Sequence, residues 1–182
     1  KRMGGTLRVG GCSAPEPFNK YTYMPKSLAL RKGRVSIPGQ TYAITKCCGS
    51  NYRRIIADPY TPDASKESAQ VIIDSLQWMH REGRARCYGY VIMPDHLHAM
   101  LQLGNEMSLS DVLRTFSSFT THVINKQNRW SGAFWQKGFY DHGMRTNESY
   151  DRHLEYFAEN PARKGYVSCI EQWPFSEVLP GW

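Results

Sequence analysis

Two histidines separated by one residue lie in the apolar segment YVIMPDHLHAMLQL, residues 90–103. If the chain turns at Pro94 and Asp95 and continues as a β-strand, alternation of side chains points His96 and His98 to the same face of the sheet. Such neighbours lie about 7 Å apart along a strand, close enough for both imidazoles to bind one cation. The alternative is a pair of hydrogen-bonded histidines on a partly exposed sheet face.

A tyrosine and an asparagine on a predicted helix could complete such a site. The segment NESYDRHLEYFAEN, residues 147–160, has helical spacing, and its apolar stripe includes Leu154 and Phe157. Tyr156 and Asn160 are four residues apart on the flank of that stripe. If the helix packs across the face that carries the histidines, one cation could contact both imidazoles and the amide oxygen, with the phenol beside it. A half-buried Tyr156 with a solvated hydroxyl is the alternative.

Hydrophobic periodicity predicts the elements that position these residues. It indicates strands at 41–48, 84–93 and 96–103, a short strand within 132–145, and helices at 63–83, 108–128 and 147–160, the last ending near Pro161. Ser108 and Asp111 are expected to cap the second helix in the manner of a capping box. The order strand–helix–strand–strand–helix–strand predicts an α+β fold: an antiparallel β-sheet with helices packed on one face, a ferredoxin- or RRM-like sandwich.

Length and composition limit the class of protein. The 182 residues suit a single domain, predicted at 24–182, after a Gly- and Pro-rich flexible arm at 1–23 that precedes a native-like start at Met24. No apolar stretch approaches the roughly 20 residues of a membrane span, so no membrane partner is expected. The five cysteines form no CxxC pair, and their odd number argues against a disulfide framework. These features favour the cytoplasm.

The charge distribution indicates a polyanionic partner only in local patches. The net charge is +7, but residues 1–34 contain eight Lys/Arg and one Glu, whereas residues 35–182 contain 15 Lys/Arg and 15 Asp/Glu. A nucleic-acid footprint in the body must therefore be local. The candidates are Arg81, Arg84 and Arg86, and Arg163 with Lys164. Ordinary solvated surface is the alternative for each.

Several stretches together resemble one family. These are LRKGRVSIPGQTYAIT, GYVIMPDHLHAML, FWQKGFYDHGMRTNESY, HLEYFAENPARKGYV and WPFS, which cover most of residues 30–176. The ordered set is similar to the HUH single-tyrosine transposases, in particular to the REP-associated tyrosine transposases of bacteria.

The resemblance implies a metal-assisted tyrosine nucleophile. His96, His98 and Asn160 would hold Mg²⁺ or Mn²⁺, and Tyr156 would attack single-stranded DNA, leaving a 5′-phosphotyrosine and a free 3′-OH that can be rejoined. Histidine ligands more often indicate zinc, so the identity of the metal stays open. Glu159 is an alternative ligand, because Pro161 disfavours a helical conformation at the preceding Asn160.

The resemblance also implies a substrate and further contacts. The substrate would be a hairpin of a repetitive extragenic palindrome, bound by a monomer. Side chains expected to contact phosphate are Arg31, Lys32, Arg34, Arg163 and Lys164, and those expected to stack on bases are Trp135, Phe139 and Tyr140. For each of them an ordinary surface or core role is the alternative. Tyr140 and Tyr150 are alternative nucleophiles. Asp95 is read as a turn residue, with orientation of a histidine as the alternative.

Two other functions fit parts of the pattern. An RRM-like module could bind nucleic acid without cleaving it, as a domesticated transposase would. A metal-dependent hydrolase could use water as its nucleophile, but the paired H-x-[ST] motifs of two-histidine phosphoesterases are absent from the sequence.

Overall fold

The computed structural model describes residues 35–49, 56–57, 63–144 and 147–178. Within these residues it contains five strands and three α-helices: β1 (Thr41–Cys47), α1 (Asp63–Arg81), β2 (Ala85–Met93), β3 (His96–Leu103), α2 (Leu109–Asn128), β4 (Tyr140–Gly143), α3 (Asn147–Arg163) and β5 (Ser176–Val178), with a 3₁₀ turn at Ile170–Gln172. The predicted flexible arm at 1–23 lies outside the described residues. The single domain at 24–182 stays a prediction.

The strands form one antiparallel sheet in the order β4-β1-β3-β2-β5. The first four strands, with α1 and α2 between them, have the order and connections of a ferredoxin-like unit. The predicted α+β class and antiparallel sheet are therefore confirmed. β5 was not predicted, because three residues are too few to show a strand pattern. It follows α3 and extends the sheet beyond β2.

The helices are divided between the two faces of the sheet. α1 and α2 pack against each other on one face, where Ile72 and Leu76 are buried. The prediction placed the helices on one face, but α3 lies on the other. Its apolar residues Leu154 and Phe157 cover strand residues that α1 and α2 leave open: Leu154 contacts Gly89, and Phe157 stacks on His98. Burial of such side chains contributes roughly 1.5–3 kcal/mol each, which fixes α3 over the histidines.

The end of α3 differs from the prediction. The helix does not stop at Pro161 but continues to Arg163, and Gly165 then takes a left-handed conformation with φ of 74°. Proline lacks an N–H, which removes one hydrogen bond, but here it lies in the last turn, where little helix remains to be disrupted. Lys164 N–H still donates to the Asn160 carbonyl at 3.0 Å. Asn160 therefore stays helical, one turn after Tyr156.

The start of α2 confirms the capping prediction. The Ser108 hydroxyl accepts a hydrogen bond from the Asp111 backbone N–H at 3.1 Å and donates to the Asp111 carboxylate at 2.7 Å. This arrangement satisfies one of the free N–H groups at the helix start. Among the described helices, none combines the length and apolarity needed to cross a bilayer.

Gly104, just after β3, is expected to be sensitive to substitution. A Cβ there would clash with the Gly83 carbonyl and lie 2.9 Å from the Arg84 carbonyl, and both are backbone atoms that cannot turn away. We expect Gly104→Ala to lower the free energy of unfolding by about 1–3 kcal/mol in urea titrations. Gly39→Asn is the control, because the space around Gly39 is open and asparagine tolerates its positive φ. An equal loss in both variants would contradict the clash.

Candidate active site

The β2–β3 hairpin brings the two histidines together. Met93 pairs with His96 across the turn at Pro94 and Asp95, and β3 begins at His96 itself. Alternation along β3 then directs both rings to the α3 face, as predicted. Their Nε2 atoms lie 3.1 Å apart, and the ring planes meet at 84°. Two imidazole nitrogens thus converge on one point.

Asp95 orients the first histidine. Its carboxylate lies 2.5 Å from His96 Nδ1. A carboxylate only accepts hydrogen bonds, so this contact places a proton on His96 Nδ1 and leaves Nε2 directed at His98. Asp95 lies in the turn, as predicted, and its carboxylate also contacts His96. The less favoured alternative, a carboxylate that orients a histidine, describes what the structure places there.

His98 is held by contacts on both sides of its ring. It is 8% exposed, its Nδ1 lies 2.8 Å from the Thr45 hydroxyl, and its ring stacks on Phe157 with centroids 4.8 Å apart. Burial, with a smaller effect from the neighbouring His96, lowers the pKa of His98 to about 3. The ring is therefore neutral near pH 7, the protonation state that a metal ligand requires.

Tyr156 lies close to His98. Its ring centroid is 6.3 Å from that of His98, and the two planes are inclined at 68°. The Arg163 guanidinium, one of the predicted phosphate contacts, lies 5.2 Å from the Tyr156 ring centroid. The phenol, the two imidazoles and a positive charge thus occupy one region between α3 and β3.

Asn160 is buried beside this region. Its side-chain N–H donates to the Tyr156 carbonyl at 2.8 Å. The amide oxygen, Oδ1, can then accept a hydrogen bond or ligate a cation. The alternative ligand, Glu159, forms an exposed ion pair with Arg163 at 3.5 Å. Among the described residues, no group of three or more His, Cys, Asp or Glu side chains is placed to hold a metal. The Asn160 amide oxygen is a ligand type that suits a hard divalent cation.

The remaining predicted contacts are scattered. Trp135 is 5% exposed and its indole N–H donates to the Thr120 hydroxyl at 2.8 Å, so it packs in the core and exposes little of its ring to a base. Phe139 is half-buried, and Lys164 is exposed after α3.

Tyr140 is exposed and pairs with Thr45, so it lies on the same face of the sheet as the histidines. The other nucleophile candidate, Tyr150, is half-buried against the core. Arg31, Lys32 and Arg34 lie outside the described residues.

Two supporting residues were missed by the sequence reasoning. Thr45 bonds to His98 only because β1 and β3 pair these residues, and that pairing leaves no mark within either segment. Phe157 was recognised as a core residue, but its stacking on His98 depends on the face that α3 covers.

Comparisons with known proteins identify similar chains. The family described as "Transposase IS200 like" matches residues 50–160. The REP-associated tyrosine transposase of Escherichia coli strain K12 is 30% identical over 88 residues, 48% of this chain and 50% of that protein. The putative REP-associated tyrosine transposase of Haemophilus influenzae is 28% identical over 95 residues, 47% of this chain and 54% of that protein. This chain thus spans about half the length of the curated relatives it matches.

A solved structure shares the fold. It is that of a REP-associated tyrosine transposase bound to a REP hairpin, and it superposes with a TM-score of 0.64 at 22% sequence identity, covering 79% of each chain.

Proposed function

Since the chain belongs to the IS200-like transposase family, we propose that it cleaves and rejoins single-stranded DNA with Tyr156 as its nucleophile. The observation that carries the proposal is the distance of 6.3 Å between the Tyr156 and His98 rings, which come from separate elements, α3 and β3. Packing alone does not explain why a tyrosine lies in the same region as two convergent imidazole nitrogens and a guanidinium.

The chemistry is a transesterification. The Tyr156 oxygen attacks a backbone phosphorus and loses its proton, an O–P bond to tyrosine forms, and the bond from phosphorus to the 3′ oxygen breaks. The 3′ oxygen takes up a proton, leaving a free 3′-OH and a 5′-phosphotyrosine. Because the ester bond is exchanged and not hydrolysed, a second 3′-OH can reverse the step without an energy source. The Arg163 guanidinium lies where it can bind the phosphate that approaches Tyr156.

A divalent cation, Mg²⁺ or Mn²⁺, would be held by His96, His98 and Asn160. When bound, it would offset negative charge on a non-bridging phosphate oxygen. The neutral state of His98 and the orientation of His96 by Asp95 support this role. Asp95 and Thr45 act on the imidazoles from the far side of each ring and so fix the direction of both Nε2 atoms.

The proposed substrate is a hairpin with a single-stranded flank. A structural relative is bound to a REP hairpin, and two relatives are REP-associated transposases. Single-stranded DNA can place a phosphate between α3 and the sheet without a duplex having to open first. Action as a monomer and residence in the cytoplasm stay predictions.

An adduct assay tests the function. The protein is mixed with hairpin DNA labelled at its 3′ end, the end that stays on the fragment joined to tyrosine, and Mn²⁺, and the products are separated under denaturing conditions. We expect a labelled species that survives denaturation and that protease converts to DNA carrying only a short peptide. Binding without this species would favour the RRM-like module. Multiple-turnover cleavage without the species would favour a hydrolase with a water nucleophile.

The contact between Thr45 and His98 gives a graded test of the metal site. Thr45→Val keeps the shape of the side chain but removes the oxygen bonded to His98 Nδ1. We expect Mn²⁺ affinity, measured by calorimetry, to fall about 10- to 100-fold, because groups that orient metal-bound histidines typically contribute that much. Thr41→Val, the same change earlier on β1, is the control. Equal affinity in both variants would show that Thr45 does not position His98.

A further inference from the structure

A large groove lies between α2 and the segment 130–139. Its volume is about 780 Å³. It lies on the face of the sheet opposite Tyr156. This follows from β1, where Thr45 contacts His98 on one face and the next residue, Lys46, points to the other and lines the groove. The proposed active site does not use this surface.

The groove concentrates positive charge. Lys46, Arg114, Lys126 and Lys137 line it together with His122, and none of the described residues that line it is acidic. Residues 35–182 as a whole contain equal numbers of basic and acidic side chains. The charge of the groove is therefore a local asymmetry within a neutral body, which is the electrostatic signature of a polyanion site.

The basic residues of α2 are arranged in a row. Arg114, His122 and Lys126 are spaced at multiples of four residues, with the polar Ser118 between the first two, so they share one side of the helix and line the groove together. The row is about 18 Å long at 1.5 Å per residue. If the single strand keeps the stacked spacing of a duplex strand, about 3.4 Å per nucleotide, that length corresponds to roughly five nucleotides. Arg114 also bonds Asp111 at 2.7 Å, but this pair is exposed and contributes little, so the guanidinium can still bind phosphate.

Aromatic side chains stand in the same groove. Trp130 and Phe139 are half-buried and both line it. A basic groove that also presents aromatic rings suits single-stranded nucleic acid, because phosphates follow the charges and bases stack on the rings. An acidic peptide would use the charges and leave the rings without a matching partner.

The wall opposite α2 is fixed in place. The buried Lys46 ammonium donates to the carbonyls of Gln136 and Gly138, each at 2.6 Å. The Trp135 indole N–H bonds Thr120 of α2, and Trp135 bridges to Cys48 beside β1. The groove is therefore formed by folded structure and does not need to be organised by its ligand.

We infer that this groove is a second binding site for single-stranded DNA, about five nucleotides long, on the face opposite Tyr156. The inference rests on the proposed function for its choice of DNA as the partner. The chain would then hold the strand that it cleaves at α3 and another single-stranded segment at α2, so that two parts of a DNA molecule are bound on opposite faces of one sheet.

Binding of a labelled, unstructured oligothymidine tests the groove. Affinity is measured by fluorescence anisotropy over a range of salt concentrations for the full chain and for the triple variant Arg114→Gln/Lys126→Gln/Lys137→Gln. We expect affinity to fall on the order of tenfold or more, and the slope of log K against log salt to become shallower by about 2, as three lost phosphate contacts predict. Trp130→Ala should weaken binding about fivefold or more without changing that slope.

The control removes the same charge elsewhere. Lys66→Gln/Arg81→Gln/Arg86→Gln lies on α1 and β2, outside the groove, and includes two residues of another basic patch. An unchanged affinity in the groove variant, or an equal loss in the control, would overturn the inference. Competition by polyglutamate as strong as by DNA would overturn the choice of nucleic acid. Thermal melts of both variants establish that they are folded.

The adduct assay separates this inference from the proposed function. If the groove variant binds oligothymidine as the wild type does and the wild type forms the phosphotyrosine adduct, the inferred binding site is wrong and the proposed cleavage is supported. If binding depends on the groove and the wild type forms no adduct, the proposed cleavage is wrong and the inferred binding site is supported.

Discussion

Replacing Tyr156 with phenylalanine should lower the yield of the covalent protein–DNA adduct by more than about 10³-fold, because the reaction loses the oxygen that forms the new ester bond. The ring remains, so its contacts with His98 and Arg163 persist. Thermal stability and hairpin affinity should therefore stay close to those of the wild type. The measurement is single-turnover adduct formation with labelled hairpin DNA and Mn²⁺, quantified on denaturing gels.

Tyr140→Phe and Tyr150→Phe are the matched controls. Tyr140 is chosen because it is exposed and lies on the same face of the sheet as the histidines. Tyr150 is chosen because it lies on the same helix as Tyr156. Both variants should form adduct at rates near the wild type. If Tyr140→Phe loses the adduct and Tyr156→Phe keeps it, the nucleophile is on β4 and the proposed role of α3 is wrong.

Replacing His96 with alanine is the second change with a large expected effect. The variant should lose Mn²⁺ binding and at least about 10²-fold in the rate of adduct formation, because two ligands remain where three were proposed and Asp95 loses the ring that it orients. His96 is partly exposed at the start of β3, so its removal should disturb the fold less than removal of the buried His98.

The binding of metal can be read without DNA. A ligand present at 100 times its Kd stabilises the folded state by about 2.7 kcal/mol. Mn²⁺ should raise the thermal midpoint of the wild type and leave that of His96→Ala unchanged, whereas His122→Ala, on α2 at the opposite face, should respond as the wild type does. An equal Mn²⁺ response in His96→Ala would place the metal elsewhere.

The sequence was most informative where one segment defines the geometry. The alternation of side chains on β3 was enough to place His96 and His98 on one face, and the helical spacing of α3 was enough to put Tyr156 and Asn160 on one flank. Each inference needs only the dihedral angles of a single element. The roles of these residues in catalysis are still predictions.

The sequence was less informative about contacts between elements. Trp135 looked like a base-stacking residue because exposed and buried tryptophans are alike in sequence, whereas its hydrogen bond to Thr120 places it in the core. The side of the sheet that α3 covers depends on which face α1 and α2 have already taken. The basic groove combines α2 with a segment that has no regular pattern, so neither part predicts it alone.

The alternation of Thr45 and Lys46 on β1 makes strand register a condition for function. A slip of β1 by one residue would exchange the two side chains, since neighbouring residues face opposite sides of a sheet. It would direct an ammonium group at the paired imidazoles, where it would repel a divalent cation, and it would remove the bonds from Lys46 to Gln136 and Gly138. A misaligned molecule would thus lose both the candidate active site and the basic groove. The loss of the two hydrogen bonds from Lys46 to backbone carbonyls makes this misaligned state less stable than the native one.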